Sequence, residues 1–283
     1  MPKQDHACRL LIDPAALGPW NMAVDESLLL DAADRGTATL RFYTWSEPTL
    51  SLGYFQRLAD RHTHAASLSC AIVRRQTGGG AILHDRELTY SLALPAGHPL
   101  ARRPDELYSA VHGAFIAVLQ PPDTASNGRW KLRRHGQASE LPQAREPFLC
   151  FQRRARGDVV AVPSKNAATG APEIDGLQQG GQRERHQEDV KILGSAQRRH
   201  RGAILQHGSL LLEKSPVAPE LTGWRDLTGG CLTVSSVVDA LSVQLAAILD
   251  AEFFRFDLSR VPESKARELA NTKYGAAVWT NRR

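Results

Sequence analysis

Residues 70–95, CAIVRRQTGGGAILHDRELTYSLALP, restrict the possible folds more than any other part of this sequence. Runs of apolar and β-branched residues separated by glycine and charged turn residues predict a strand, a glycine turn, a short strand, a turn at 84–86 and a third strand. Further strands are predicted at 38–45, 49–56, 158–162, 190–197 and 202–213. Helical spacing is found at 20–35, 104–119, 234–251 and 263–274. Because strands and helices do not alternate regularly, we predict an α+β fold with a mixed, largely antiparallel sheet flanked by helices.

The length and composition indicate one folded domain. The 283 residues are 42% hydrophobic and 23% charged, which is enough apolar material for a large core. We expect a single domain over 1–283, with its core at about 36–250 and a helical segment at the C-terminus. Residues 163–190 are rich in Gly, Gln, Ser and charged residues, so a polar loop insertion is expected there.

The sequence contains no segment typical of a membrane or secreted protein. No stretch approaches the roughly 20 apolar residues that a membrane span needs. The N-terminal sequence, MPKQDHACRLLID, has no apolar run long enough for a signal peptide. We therefore expect no membrane association and a cytoplasmic location.

The chain has four cysteines that lie far apart: Cys8, Cys70, Cys150 and Cys231. They form no C-x-x-C pair and have no histidine cluster at zinc spacing, so neither a disulfide framework nor a metal site is expected. A lone cytosolic cysteine is usually a small buried hydrophobe. Cys150 differs because Arg153, Arg154 and Arg156 follow it, and cationic neighbours raise the thiolate fraction. It is the best nucleophile candidate of the four.

The excess positive charge is concentrated in the middle of the chain. Residues 121–201 contain 15 basic and 9 acidic side chains, whereas the flanking parts are close to neutral. This pattern indicates an anionic partner, which could be a nucleic acid, an acidic protein or a phosphate-bearing ligand. A solvated basic loop is the alternative.

The glycine triplet Gly78-Gly79-Gly80, followed by Ala81, is a candidate ligand contact. Glycines let a backbone approach a ligand closely and leave N–H groups free to bind it. The spacing matches neither a G-x-x-x-x-G-K phosphate loop nor a G-x-G-x-x-G motif. A glycine triplet between strands is more often a plain turn, but Arg75 before it and His84 after it give a functional role equal weight.

Two later predicted strands contain small or polar residues that strands usually avoid. These are Lys191, Gly194, Ser195 and Ala196 in the first strand and His207 and Gly208 in the second. A glycine within a strand weakens pairing, so we expect a ligand to approach closely there. The alternatives are a lysine at the surface and a histidine with purely structural partners.

Five segments, taken in order, resemble the superfamily of lipoate–protein ligase A, octanoyltransferases and biotin ligases. They are NMAVDESLL (21–29), RFYTWSEPTLSLGYFQ (41–56), RRQTGGGAILHDRELTYSLALP (74–95), KILGSAQRRHRGAILQHGSLLLE (191–213) and KYGAAVWTNRR (273–283). Together they extend over nearly the whole chain. The resemblance implies the α+β catalytic domain of the biotin ligase and lipoate ligase type, with an acyl tunnel.

The resemblance is strongest to the LipM-type octanoyltransferases, because Cys150-Phe151 matches the position of their catalytic cysteine. It implies that Cys150 and Lys191 are catalytic and that Arg75 and 78–81 surround the acyl chain and its carbonyl. The other expected substrate-binding residues are His84, Gly194, Ser195, Ala196, His207 and Gly208. The implied reaction transfers octanoate from octanoyl–acyl carrier protein to a lysine of a lipoyl domain through a cysteine thioester, without ATP, metal or another cofactor.

The implied acceptors are lipoyl domains of 2-oxoacid dehydrogenases or the glycine cleavage H protein, and a monomer is expected. Three alternatives stay open: an ATP- and magnesium-dependent lipoate ligase in which Cys150 is incidental, an amidotransferase between carrier proteins, and a basic nucleic-acid binder. Forty residues lie between Cys150 and Lys191. This spacing is longer than expected in the family, so the pair requires a hairpin that brings the two together.

Overall fold

The computed structural model of the chain describes residues 6–120, 130–136, 146–164, 189–230, 232–256 and 263–283. The strands are β1 His6–Ile12, β2 Ala38–Tyr43, β3 Thr49–Leu52, β4 Ala71–Arg74, β5 Ile82–His84, β6 Glu87–Leu94, β7 Trp130–Arg134, β8 Val159–Pro163, β9 Val190–His200, β10 Ala203–Leu211 and β11 Ala251–Arg255. The helices are α1 Gly18–Arg35, α2 Pro104–Leu119, α3 Trp224–Thr228, α4 Val234–Leu249, α5 Glu263–Leu269 and α6 Ala277–Thr280.

In the described part of the chain, eight strands form one sheet in the order β11-β1-β2-β6-β10-β9-β8-β7. β1 pairs in parallel with β2 and β11, and the other neighbours are antiparallel. The three remaining strands form a small sheet, in which β3 is parallel to β4 and antiparallel to β5. The predicted α+β class with a mixed, largely antiparallel sheet is therefore confirmed.

Helices cover both faces of the main sheet, so its central strands β6 and β10 are buried at every position. On one face α2 and α4 pack through residues such as Phe115 and Leu241. On the other face α1 and α5 pack through residues such as Leu28 and Ala266. Among the described residues, no helix combines the length and the apolar character needed to cross a bilayer.

Helix α1 follows its sequence signals closely, although it begins two residues before the predicted start. Pro19 lies in the first turn, where its fixed φ suits the helix. An N–H group at this position would have no partner within the helix, so its absence in proline costs nothing. Gly36 ends the helix in the left-handed conformation, with φ of 71°. The residues predicted to face the core are all buried: Ala23, Val24, Leu28 and Ala32.

The sequence does not predict β1, β7 or β11. β7 and β11 are the two edges of the main sheet. In β7 only Leu132 is buried, because an edge strand exposes most of its side chains and so has little apolar periodicity. Most of the loop expected at 163–190 lies outside the described residues.

A buried ion-pair network joins α1 to the sheet. Arg41 on β2 is fully buried and donates to the carboxylates of Asp13, at 2.5 Å, and Asp25, at 2.8 Å. It also donates to the Asn21 side chain at 3.0 Å. Asp25 and Asn21 lie on α1, so one guanidinium determines how this helix sits against the strands.

Replacing Arg41 with leucine is expected to destabilise the protein by about 3–5 kcal/mol, because the buried carboxylates of Asp13 and Asp25 lose their counter-ion. Chemical denaturation measures this loss. Lys265→Met, which removes an exposed pair with Glu268, is the control and is expected to cost less than about 1 kcal/mol. Equal effects of the two substitutions would contradict a structural role for the buried network.

Candidate active site

The candidate site forms where the glycine turn meets the segment that contains Cys150. The Cys150 N–H donates to the Ala81 carbonyl at 2.7 Å, and the Ala81 N–H donates to the Phe148 carbonyl at 3.0 Å. Ala81 thus pairs in parallel with Leu149. Cys150 then begins a single 3₁₀ turn that ends at Gln152. These bonds hold the half-buried thiol in a fixed position relative to the glycine turn.

An antiparallel hairpin brings Lys191 to the same place. Strands β8 and β9 pair with Val160 opposite Lys191, which leaves the base of the hairpin beside Cys150. The Lys191 Nζ lies 3.5 Å from the Cys150 Sγ and 3.3 Å from the Cys150 carbonyl oxygen. The structure thus brings together the two residues that the sequence predicted to act as a pair, and their catalytic roles stay predictions.

Asp158, which sequence reasoning missed, completes this cluster. Its carboxylate lies 2.8 Å from the Lys191 Nζ, and both side chains are 2% exposed. The Ala155 N–H and the Tyr108 hydroxyl also donate to the Asp158 carboxylate, at 2.7 Å and 3.1 Å. Asp158 therefore holds Lys191 in position. The available signal was an acidic residue directly before an apolar strand, DVVAV, within an otherwise basic stretch.

The surroundings of Lys191 keep its side chain protonated. Burial by itself lowers the pKa of an ammonium group, because desolvation disfavours the charged form. The negative charges of the Cys150 thiolate and the Asp158 carboxylate together outweigh this effect, so the pKa of Lys191 lies above its ordinary value. A protonated ammonium group therefore lies 3.5 Å from the Cys150 sulfur.

Arg75 stabilises the glycine turn by hydrogen bonds to its carbonyl groups. Its guanidinium donates to the carbonyls of Gly78 and Gly80, each at 2.7 Å, and to the Ser51 carbonyl at 2.9 Å. Burial lowers the pKa of Arg75 to about 10. The turn itself needs glycine, because Gly79 has φ of 91° and a Cβ on Gly80 would lie 3.1 Å from the Cys150 Cα.

The glycines within β9 and β10 leave room for side chains that form the site. A Cβ on Gly194 would lie 2.6 Å from the Lys191 Cε, and a Cβ on Gly208 would lie 2.2 Å from the Ser195 Oγ. The sequence predicted that a ligand would approach these positions. The structure shows that the Lys191 and Ser195 side chains approach them closely, and contact of either glycine with a ligand stays a prediction.

A cleft enclosing about 480 Å³, part of it open to solvent, adjoins Cys150. Ten of the predicted site residues line it: Arg75, Gly78, Gly79, His84, Cys150, Gly194, Ser195, Ala196, His207 and Gly208. Three do not line it: Gly80, Ala81, whose backbone pairs with the segment at Cys150, and Lys191, which contacts the Cys150 thiol.

The two predicted histidines line the cleft but are held by buried partners. His84 contacts the Ser51 hydroxyl and the Glu87 carboxylate, each at 2.7 Å, and burial lowers its pKa despite the neighbouring carboxylate. His207 contacts the Thr77 hydroxyl at 2.7 Å and the Asp25 carboxylate at 3.0 Å. The His207 bond to Thr77 connects the main sheet to the residue before the glycine turn, and the His84 bonds connect the small sheet to β6, so both histidines position the cleft wall.

Replacing Gly194 with alanine is expected to move the Lys191 ammonium away from Cys150, because the new Cβ would overlap the lysine stem. A displacement of about 1 Å in an active site lowers activity about 100-fold. Steady-state kinetics of acyl transfer measure the effect, and circular dichroism checks the fold. Gly113→Ala on α2 is the control, since nothing lies within 4 Å of its Cβ position. Unchanged kcat in the Gly194→Ala enzyme would contradict a role for the lysine position.

Comparison with known proteins gives consistent matches. Residues 18–218 match the lipoyl protein ligase A/B catalytic domain. The chain is 32% identical to the octanoyltransferase LipM of Kyrpidia tusciae, over 97% of this chain and 98% of that protein. It is 29% identical to the octanoyltransferase LipM of Bacillus anthracis, over 92% of each. A bi-partite lipoate protein ligase from Thermoplasma acidophilum has a similar fold, with a TM-score of 0.63, 19% identity and coverage of 97% and 96%.

The region that matches the family includes every candidate site residue from Arg75 to Gly208. It also includes Asp158 and both strands of the hairpin that carries Lys191. The match covers well over half of the sequence and confirms the resemblance seen in the motifs. This chain therefore belongs to the lipoyl protein ligase A/B catalytic domain family.

Proposed function

We propose that the protein is an octanoyltransferase that moves an octanoyl group from octanoyl–acyl carrier protein to a lysine of a lipoyl domain through a thioester on Cys150. The observation that carries the proposal is the 3.5 Å contact between the Cys150 Sγ and the Lys191 Nζ beside the cleft. The octanoyltransferase names of the near-full-length sequence relatives support the acyl group and the reaction class.

In the first step the Cys150 thiolate attacks the carbonyl carbon of the donor thioester. A bond forms between this carbon and the Cys150 Sγ while the carbon–sulfur bond of the donor breaks. The proton that Cys150 gave up ends on the departing carrier thiol. Lys191 stabilises the attacking thiolate, and backbone N–H groups of 78–80 or 194–196 are the candidates that stabilise the oxyanion.

In the second step the neutral amine of the target lysine attacks the octanoyl-enzyme. A carbon–nitrogen bond forms, the bond to the Cys150 Sγ breaks, and a proton lost by the amine restores the Cys150 thiol. Exchange between thioesters is nearly even in free energy, and conversion of a thioester to an amide is downhill. The reaction therefore needs no ATP or other cofactor.

The proposed acceptors are lipoyl domains of 2-oxoacid dehydrogenases or the glycine cleavage H protein. Both these domains and acyl carrier proteins are acidic, so a positively charged surface near the site favours their encounter. A ligase would instead require ATP and free lipoate, and an amidotransferase would take octanoate or lipoate from a carrier's lysine. Assays with each donor, with and without ATP, separate these three activities.

Replacing Cys150 with serine is expected to abolish the octanoyl thioester, because serine lacks an accessible anionic nucleophile at neutral pH. Mass spectrometry of the intact protein after incubation with octanoyl–acyl carrier protein detects the adduct, and neutral hydroxylamine removes a thioester. Cys70→Ser, which changes another free, half-buried cysteine, is the control and should retain the adduct. A hydroxylamine-sensitive adduct in the Cys150→Ser protein would contradict the proposal.

Replacing Lys191 with alanine is expected to slow alkylation of Cys150 by iodoacetamide at least about tenfold near pH 7. Loss of the ammonium leaves the thiolate beside the uncompensated Asp158 carboxylate, and both changes disfavour the anion. Rates measured from pH 6 to pH 10 test this effect. Lys214→Ala, at an exposed lysine, should match the wild-type profile. Identical profiles for all three proteins would rule out an electrostatic role for Lys191.

A further inference from the structure

A second depression adjoins the cleft on the far side of β9. β8 pairs with β9 only as far as Val159 opposite Leu193, so among the described strands none pairs with this edge of β9 beyond that point. A groove of about 1,470 Å³, part of it open solvent, lies next to this edge, and its lining includes Tyr108, Arg134, Arg156 and Ser195. The proposed chemistry does not use this groove.

The wall of the groove is bonded to the Cys150–Lys191 pair. Ser195 lines both the groove and the cleft. Tyr108, in the groove, donates to Asp158 at 3.1 Å, and Asp158 holds Lys191 at 2.8 Å. The His135 N–H also donates to the Asp158 carbonyl at 2.7 Å, so the wall of the groove and the Cys150–Lys191 pair are one bonded unit.

The groove contains cations without counter-ions. Arg134 and Arg156 are exposed, and neither forms an ion pair within the described residues. Their neighbours are engaged, since Arg133 pairs with Asp189 and Arg153 pairs with Glu146. Two guanidinium groups that line one groove are suited to a phosphate, which accepts charge-assisted hydrogen bonds from arginine.

Two further polar groups in the groove could form hydrogen bonds with the amide groups of a ligand. The His135 Nδ1 is buried and has no hydrogen-bond partner among the described residues, and the Asp189 carboxylate lies 3.9 Å from it. Asp105 also lines the groove, and its carboxylate can accept from an amide N–H or a hydroxyl but not from a phosphate. The groove thus contains a carboxylate acceptor, a histidine and two arginine side chains, whereas the cleft beside Cys150 is mainly apolar.

We infer that this groove binds the phosphopantetheine arm of the acyl donor, with Arg134 and Arg156 holding its phosphate. The inference rests on the proposed function, because it requires a donor thioester at Cys150. The apolar cleft takes the acyl chain on one side of the thioester, and the polar arm leaves on the other side through the groove. Coenzyme A and a carrier protein present the same arm.

The test compares two small donors, octanoyl-4′-phosphopantetheine and octanoyl-pantetheine, which differ only in the phosphate. The wild-type enzyme is expected to show a kcat/KM at least about tenfold higher with the phosphorylated donor, the size of one charge-assisted hydrogen bond. In the Arg134→Ala/Arg156→Ala enzyme this ratio should fall close to one. Arg133→Ala, on the same strand but paired with Asp189, should keep the wild-type ratio.

Octanoyl–coenzyme A and octanoyl–acyl carrier protein, tested on the same variants, distinguish the two natural sources of the arm. A lower kcat/KM of the Arg134→Ala/Arg156→Ala enzyme with both donors supports binding of the arm. The donor that gives the wild-type enzyme the higher kcat/KM is then the natural source of the arm. A loss with the carrier protein alone would overturn the inference, because the arginines would then contact the carrier surface. The inference would also be overturned if the wild-type enzyme had nearly equal kcat/KM values for octanoyl-4′-phosphopantetheine and octanoyl-pantetheine. Failure of every donor to acylate the enzyme would instead refute the proposed function.

Discussion

The buried carboxylate of Asp25 is the contact on which the arrangement of this protein depends. It lies on α1 and binds Arg41 and Tyr43 on β2 and His207 on β10. Burial disfavours its charge, but His207 and Arg41 together hold the pKa of Asp25 below its ordinary value. One anion therefore links a helix to two strands of the main sheet, and through His207 and Thr77 it also reaches the glycine turn.

A second buried charge pair determines the chemistry. Asp158 and Lys191 approach to 2.8 Å, and both side chains are buried, where unpaired charges would be costly. Asp158 receives further hydrogen bonds from Tyr108 and from the Ala155 backbone, so the pair is held by the surrounding structure. The lysine can then remain protonated in an apolar environment, and its ammonium lies against the Cys150 sulfur.

The sequence predicted the central strands and helices well because their apolar periodicity is strong. β6, β10, α1 and α2 are each buried along a face or along their whole length. β7 and β11 have weak periodicity, since they are the sheet edges and expose most of their side chains. Most of the candidate site could also be named, because the glycine triplet and the mid-strand glycines marked its segments and the resemblance to a known family implied the roles of their residues.

By itself, the sequence determined the fold class, the glycine turn and the choice of Cys150 and Lys191 as candidates. These predictions depend on local sequence patterns and on family motifs that occur in the expected order along the chain. Only the tertiary structure decided that Lys191 reaches Cys150 and that Asp158 binds the Lys191 ammonium group. It also showed that a side chain at position 194 would overlap the aliphatic part of Lys191. Such contacts join residues up to 41 positions apart, and their distances depend on how strands pair, which no local pattern specifies.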